Sequence, residues 1–360
     1  MKIAVGISGG VDSAVAALLC REQGHEVTGV FMSIWKEGVD DANVGAGGGN
    51  ACFGPDEKHD LEDARRVCER IGIPLEVVDC SDAFHREILS YFRESYLNGW
   101  TPNPCVYCNQ QLKFGLLPTI LQERNIPVSL FATGHYARVV RDASGGVHLK
   151  RAVDLSKDQS YFLYRLTREQ LDRSLFPLGE MTKEQVREKG RQAGLHVWDK
   201  DESQDFYSGD YRALIRPCCG GTGGESGRIV NRAGEILGHH EGIWNYTIGQ
   251  RRGLGISAPN PLYVVEIRSD RNEVVVGEHD DLYERHLRIS GFRRLEELPA
   301  RVGCKIRSAS PAYPGTVRRE EDDTVVVEFD EPVAGISPGQ SAVLYADDLV
   351  LGGGVIERNA

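Results

Sequence analysis

Six consecutive residues, Ser8-Gly9-Gly10-Val11-Asp12-Ser13, have the types that cradle a phosphate. Two glycines allow a sharp turn and a close approach of backbone to ligand. The N–H groups exposed where a helix begins, with the positive end of its dipole, then favour an anion. Ser8 and Ser13 add hydroxyl donors. No Gly-Lys-Ser/Thr follows, and the spacing is not Gly-x-Gly-x-x-Gly, so neither the Walker loop nor the dinucleotide fingerprint applies. Asp12 is the single acid of the cradle. It suits a magnesium ligand or a group that positions an attacking oxygen; with no ligand it would simply favour the helix dipole. The second group with chemistry is a Cys-x-x-Cys pair, Cys105 and Cys108. The thiolate is the reactive form of cysteine and is favoured at a helix N-terminus. A helix starting at Gln110 would leave Cys108 just before that positive end.

The elements that must position these residues alternate. Apolar runs at Lys2–Ile7, Glu26–Met32, Leu75–Val78 and Val128–Thr133 read as strands. Helical spacing marks Ser13–Glu22, Asp56–Ile71 and Phe84–Leu97. The chain is therefore expected to be α/β, with an N-terminal parallel sheet covered by helices on both faces. Gly-rich stretches at Gly38–Gly54 and Gly220–Gly227 read as a mobile loop beside the ligand edge and a boundary. Beyond residue 228 the runs Leu262–Ile267, Glu273–Val276, Thr324–Phe329 and Ser341–Tyr345 are short and closely turned. They predict a small β-rich domain followed by a C-terminal β-barrel.

The 360 residues allow two or three domains. Nine cysteines, an odd number, argue against a disulfide framework. The first residues run straight into a strand, without the features of a signal peptide, and no apolar run is long enough for a bilayer. A cytoplasmic enzyme is expected. The net charge of −11 disfavours nucleic acid, yet Arg251–Arg319 holds 13 Lys and Arg against 9 Asp and Glu. Such local basicity can hold RNA.

The Ser8–Ser13 loop after a first strand resembles the pyrophosphate loop of the ATP-pyrophosphatase superfamily. Five segments narrow the match: Thr101–Asn109, Ala132–Arg138, Lys157–Leu163, Tyr246–Gly255 and Ser337–Ala342, with Leu351–Gly354 closing the chain. Together they are similar to the bacterial and mitochondrial tRNA-specific 2-thiouridylases, from the first strand to the last residues. The resemblance implies an adenine nucleotide α-hydrolase-like domain over 1–205, a central β-rich domain over 206–278 and a barrel over 279–360. It implies ATP-driven thiolation of the wobble uridine of tRNAs for Lys, Glu and Gln. ATP adenylates O2 of the base, a persulfide or hydrosulfide displaces AMP, and a cysteine desulfurase or relay protein supplies the sulfur. Gly6, Ile7, Ser8, Gly9, Gly10, Val11, Asp12, Ser13, Met32 and Gly134 would contact ATP, with Mg2+. Cys108 would be the nucleophile. Asn103, Pro104, Cys105, His135, Lys157, Asp158, Gln159, Arg307, Ser308 and Gln340 would contact tRNA.

The sequence departs from the family in one respect. A second catalytic cysteine is expected shortly after a Ser-Gln-Asp segment, but Ser203-Gln204-Asp205 is followed by Phe206 and Tyr207. Three readings of the Cys105–Cys108 pair follow. The pair holds the persulfide on one thiol and resolves it with the other. Alternatively it joins Cys52, Cys218 or Cys219 around an iron–sulfur cluster. The third reading is half of a zinc site. Competing functions are an argininosuccinate-synthase-like ligase, which needs neither cysteine, and a non-catalytic RNA-binding protein.

Overall fold

Ile3, Ala4 and Val5 are all buried. Such an unbroken apolar run is what a strand covered on both faces requires, and Lys2–Gly6 is the central strand, β1. In the computed structural model, which describes residues 1–36, 51–202, 205–207, 209–215, 226–321 and 323–358, the chain divides into two compact units. The first comprises Met1–Ile88, Cys105–Gly209 and Asp348–Val350; the second comprises Leu89–Pro104, Asp210–Asp347 and Leu351–Ala360.

In the first unit β1 pairs in parallel with β2 (Glu26–Ser33) and, on its other side, with β5 (Leu130–Ala132). β4 (Leu75–Asp79) and β8 (Ser174–Leu175) extend the sheet in parallel. The order is β4-β2-β1-β5-β8. Successive strands are added on one side of β1 up to β4 and on its other side from β5, and ligands bind at such a switch, beyond the carboxyl ends of the strands. The expected parallel α/β sheet is present.

Helix α1 (Val11–Glu22) follows β1 and buries Val11, Ser13, Ala14, Val15, Ala16, Ala17 and Cys20. Small residues let it sit tightly between the sheet and the Lys183–Gln192 helix. Gly190 makes that approach close: a Cβ there would lie 3.3 Å from Val11 and 3.4 Å from Val15. Helix α2 (Glu57–Ile71) adds Ala64, Val67, Cys68 and Ile71 to the same core. A three-residue strand, β3 (Ala51–Phe53), pairs in parallel with β9 (Asp205–Tyr207), and Phe53 packs against Phe84 and Phe206.

The second unit holds an antiparallel-edged sheet of order β11-β10-β13-β12, comprising Ile236–His240, Gly227–Asn231, Glu273–Gly277 and Tyr263–Arg268. Ile229, Val264, Val274 and Val276 form its core. Six strands, β14 (Tyr283–Arg294), β17 (Thr324–Ala334), β16 (Tyr313–Glu321), β15 (Arg301–Lys305), β18 (Ser341–Ala346) and β19 (Leu349–Ile356), follow one another around a barrel. Pairing of β14 with β19 closes it, which removes the exposed edges. The expected β-rich second half and C-terminal barrel are both present. No helix of the described residues is long and apolar enough to cross a membrane.

Candidate active site

The turn after β1 forms because Gly9 adopts φ +77° and approaches α2 so closely that a Cβ would lie 2.6 Å from the Asp60 carbonyl oxygen. Gly10 caps α1 in an extended conformation and offers no side chain to its N-terminus. The first N–H groups of α1 are therefore left for a ligand, at the positive end of the dipole. Ser13 Oγ holds the loop's shape by donating to the Gly10 carbonyl at 3.0 Å and accepting from Ser8 N at 3.1 Å. Of the expected nucleotide contacts, Ser8 is exposed and Gly6, Gly10, Asp12, Met32 and Gly134 are part-exposed. Ile7, Gly9, Val11 and Ser13 are buried, and Ile7 and Val11 have core side chains.

Sequence reasoning missed two lysines that flank this loop. Lys183 Nζ donates to both oxygens of Asp12, at 2.8 and 2.9 Å, and reaches Glu202 at 2.6 Å. Lys200 Nζ donates to the Gly9 carbonyl at 3.2 Å and is held by Asp60 and Asp63. Glu202 also accepts from Lys157. Burial works against the Glu202 carboxylate, but Lys183 and Lys157 outweigh it and hold its pKa below the ordinary value. Tyr136 OH donates to Asp12 at 2.8 Å, and burial with the Asp12 charge pushes that phenol far up.

The Lys157-Asp158-Gln159 triplet is wired into the same network. Gln159 Oε1 accepts from Tyr136 N at 3.0 Å. Asp158 accepts from Ala152 N and from the Ser160 hydroxyl, shaping its own turn. Lysines carry little sequence signal within charged stretches such as Trp198–Glu202 and Thr182–Lys189, so Lys183 and Lys200 could be recognised only from the fold.

The thiols lie on a helix that begins at Pro104, six residues earlier than the expected start at Gln110. Proline is pre-set for a first helical position. Cys108 accordingly sits inside the helix rather than ahead of it, and the dipole argument for that thiol falls. Pro104–Tyr107 is an α turn, Cys108–Leu116 a π-helix and Leu117–Glu123 α again. Cys108 is buried and Cys105 half-buried. Burial pushes the Cys108 thiol up to about 11, Lys113 pulls it down and Cys52 raises it. Burial also raises Cys105, with Cys52 and Cys108 adding to the effect. Lys113 was missed too.

The segment after β5 stands between loop and thiols. A Cβ on Gly134 would lie 2.7 Å from backbone atoms of both Asp12 and Ser13. His135 Nδ1 and the Thr133 hydroxyl share a hydrogen bond of 2.7 Å, and the ring lies among Phe114 and Phe176. Burial, then the charge of Lys113, drives its pKa down to about 3. His135 is thus a neutral ring, available to a base but not as a cation to a phosphate.

The remaining expected contacts belong to the second unit. Asn103 N donates to Tyr91 OH. Gln340 Nε2 donates to the Pro102 carbonyl at 3.1 Å, and Thr101 N to the Pro338 carbonyl. The Ser337–Gln340 turn thus holds the segment preceding the cysteine helix. Arg307 and Ser308 are exposed, and Arg307 also donates to the Gly335 carbonyl and Ser337 hydroxyl.

Metal holding follows from donor sets. Magnesium often arrives with phosphates and needs only one or two protein carboxylates; Asp12 would be that carboxylate, though Lys183 and Tyr136 already engage it. Among the described residues no group of three or more His, Cys, Asp or Glu is arranged to hold a metal. Cys52, Cys105 and Cys108 are accordingly not grouped as a three-thiolate set among the described residues. Cys218, Cys219, Ser203 and Gln204 lie outside the described residues, as does most of the Gly38–Gly54 and Gly220–Gly227 stretches.

Residues 1–207 match the family described as tRNA methyl transferase HUP domain. Residues 221–278 match the tRNA methyl transferase PRC-barrel domain, and 285–356 the aminomethyltransferase beta-barrel domain. Curated relatives named tRNA-specific 2-thiouridylase MnmA include that of Endomicrobium trichonymphae, 43% identical over 99% of both chains. Another, from Geobacter metallireducens, is 44% identical over 99% of this chain and 96% of its own. The solved structure of NMN synthetase from Francisella tularensis is similar over 61% of this chain and 76% of that one, at 19% identity and a TM-score of 0.34.

Proposed function

The chain belongs to the tRNA-specific 2-thiouridylases, a family of tRNA sulfurtransferases, and from that premise we propose that it converts the wobble uridine of tRNA to 2-thiouridine through an adenylated base. The observation that carries this reading is the Gly134–Tyr136 segment. Gly134 and Tyr136 meet Asp12 at the phosphate loop, while His135 faces Lys113 on the thiol helix. A nucleotide on one side and a sulfur nucleophile on the other would meet over one base.

In this reading the uncapped start of α1 binds the phosphates of ATP. Lys183, paired with Asp12 and Glu202, and Lys200, paired with Asp60 and Asp63, flank it and would turn their charge to the phosphates when ATP binds, as charge stabilisation of phosphoryl transfer requires. Uracil O2 attacks the α-phosphorus and pyrophosphate leaves, turning a poor leaving oxygen into AMP. A magnesium ion, held at Asp12, would neutralise charge on the phosphates. The base must leave the anticodon stack to reach the site, which loop nucleotides do at low cost.

Sulfur then arrives on Cys108 as a persulfide. Its terminal sulfur attacks C2, forming a C2–S bond as AMP departs. Cys105, one helical turn away, attacks the Cys108 sulfur. The S–S bond to the base breaks, 2-thiouridine leaves, and a Cys105–Cys108 disulfide remains. An external dithiol must reduce that disulfide, and a cysteine desulfurase or relay protein must reload the sulfur. The tRNAs for Lys, Glu and Gln are the expected substrates, in the cytoplasm.

The test is mass spectrometry of tRNA nucleosides after incubation with ATP, unmodified transcript and a sulfur donor. Wild type should yield 2-thiouridine and Cys108→Ser none. Full thiolation by the serine variant would contradict the assignment.

A further inference from the structure

The buried face of the thiol helix carries one cation, Lys113, half-buried and with no carboxylate partner among the described residues. The groups that favour its charge are three cysteines. Burial works against the ammonium, but Cys108, Cys52 and Cys105 outweigh it and hold its pKa above the ordinary value.

The geometry behind this is the π-helix. Its hydrogen bonds run between residues five apart, which brings residue i+5 over residue i. Lys113 is five residues after Cys108, within the π segment Cys108–Leu116. At 3.6 residues per turn the two would stand about 140° apart around the axis. The neighbours hold the wide register. Gln170 Nε2 donates to the carbonyls of Gln110 and Phe114, at 2.8 and 3.2 Å, and Arg165 donates to Gln110 Oε1 at 3.1 Å. Gly115 fits the widened turn: a Cβ there would lie 2.9 Å from the Gln110 carbonyl oxygen. A π segment of this length is rare, and such segments gather at functional sites.

We propose that Lys113 is a positioning residue for anionic sulfur, set by the π register against Cys108 so that a thiolate or perthiolate there faces the activated base. The proposal rests on the reading of Cys108 as the sulfur nucleophile. The other titratable groups facing this cluster are Cys52 on β3, Cys80 after β4 and His135 after β5. Asp79 and Arg124 act on Cys80. His135 is neutral and the rest are thiols, so Lys113 supplies the positive charge acting on Cys108.

The experiment alkylates the full-length protein at neutral pH without ATP or tRNA. Modification of Cys108 is followed by peptide mass spectrometry, with neutral iodoacetamide and anionic iodoacetate compared. Lys113→Met and Lys113→Gln should each slow iodoacetamide attack about tenfold, the scale of thiolate population one nearby charge controls. Both should also lower the iodoacetate-to-iodoacetamide ratio, and Lys113→Arg should restore rate and ratio. A variant that merely unfolds exposes the thiol and reacts faster, the opposite sign. Rates equal to wild type in folded Lys113→Gln, or an arginine variant as slow as the glutamine one, would overturn the proposal. Thiolation by Cys108→Ser is a separate readout, so failure here leaves the proposed reaction standing.

Discussion

A methyl group at Gly134 would stand 2.7 Å from the backbone of Asp12 and Ser13, closer than atoms tolerate, so the start of α1 would have to move. Gly134→Ala should therefore weaken ATP binding by about tenfold or more, roughly 1.4 kcal/mol, as read by calorimetry; unchanged affinity would mean that this contact does not shape the loop. Asp12 and Lys183 act as one unit through two short hydrogen bonds. Asp12→Asn combined with Lys183→Met should cost pyrophosphate release little more than the worse single change, as coupled pairs do; multiplicative losses would show that they act independently. The glycines, serines and acid of the loop were legible because their types are unusual together and a strand precedes them. Lys183, Lys200 and Lys113 were not, since a lysine's type is common and only the fold decides whether it meets a phosphate loop, a thiol or water.

At the scale of elements, the parallel strands and the helices around β1 were readable from apolar periodicity, and the barrel from its short β runs. The π-helix was not. Periodicity reasoning assumes 3.6 residues per turn, under which Lys113 and Cys108 do not share a face. The widened register depends on distant partners such as Gln170, whose amide satisfies two helix carbonyls. Gln170→Leu should destabilise the fold by about 1–3 kcal/mol, the cost of leaving buried acceptors unpaired, measured by denaturant unfolding; a change under about 0.5 kcal/mol would show that the carbonyls find other donors. The strands β3 and β9 were also illegible, because three residues carry no period. Yet they set Cys52, on β3, level with Phe206, beside the place where a second cysteine was sought.

Over the whole molecule, part of the excess of basic residues between Arg251 and Arg319 is taken up in ion pairs. Arg288, Arg301 and Arg318 of the barrel are each paired with an acid. Arg251 and Arg252 are exposed and have no such partner among the described residues. Changing both to Ala should weaken tRNA binding across sequences and lower the salt slope by about one per arginine; an unchanged slope would remove them from the interface. The core thiols predict a second global property. Burial raises Cys20 and Cys68 from 9.0 to about 11 in the folded chain. The unfolded state therefore loses these protons first. Their contribution to stability is complete below pH 9 and is lost as pH rises from about 9 through 11. Replacing both with Ala should flatten the alkaline fall of the unfolding free energy; an identical alkaline slope would place its cause elsewhere.

The most direct measurement concerns the fate of one oxygen. A tRNA transcript carrying heavy oxygen at O2 of the wobble uridine is incubated with the protein, ATP and a sulfur donor, and the AMP released is weighed by mass spectrometry. The account predicts one heavy oxygen in AMP for each 2-thiouridine formed, because the base oxygen leaves on phosphorus. Unlabelled AMP accompanying thiolated tRNA would contradict it.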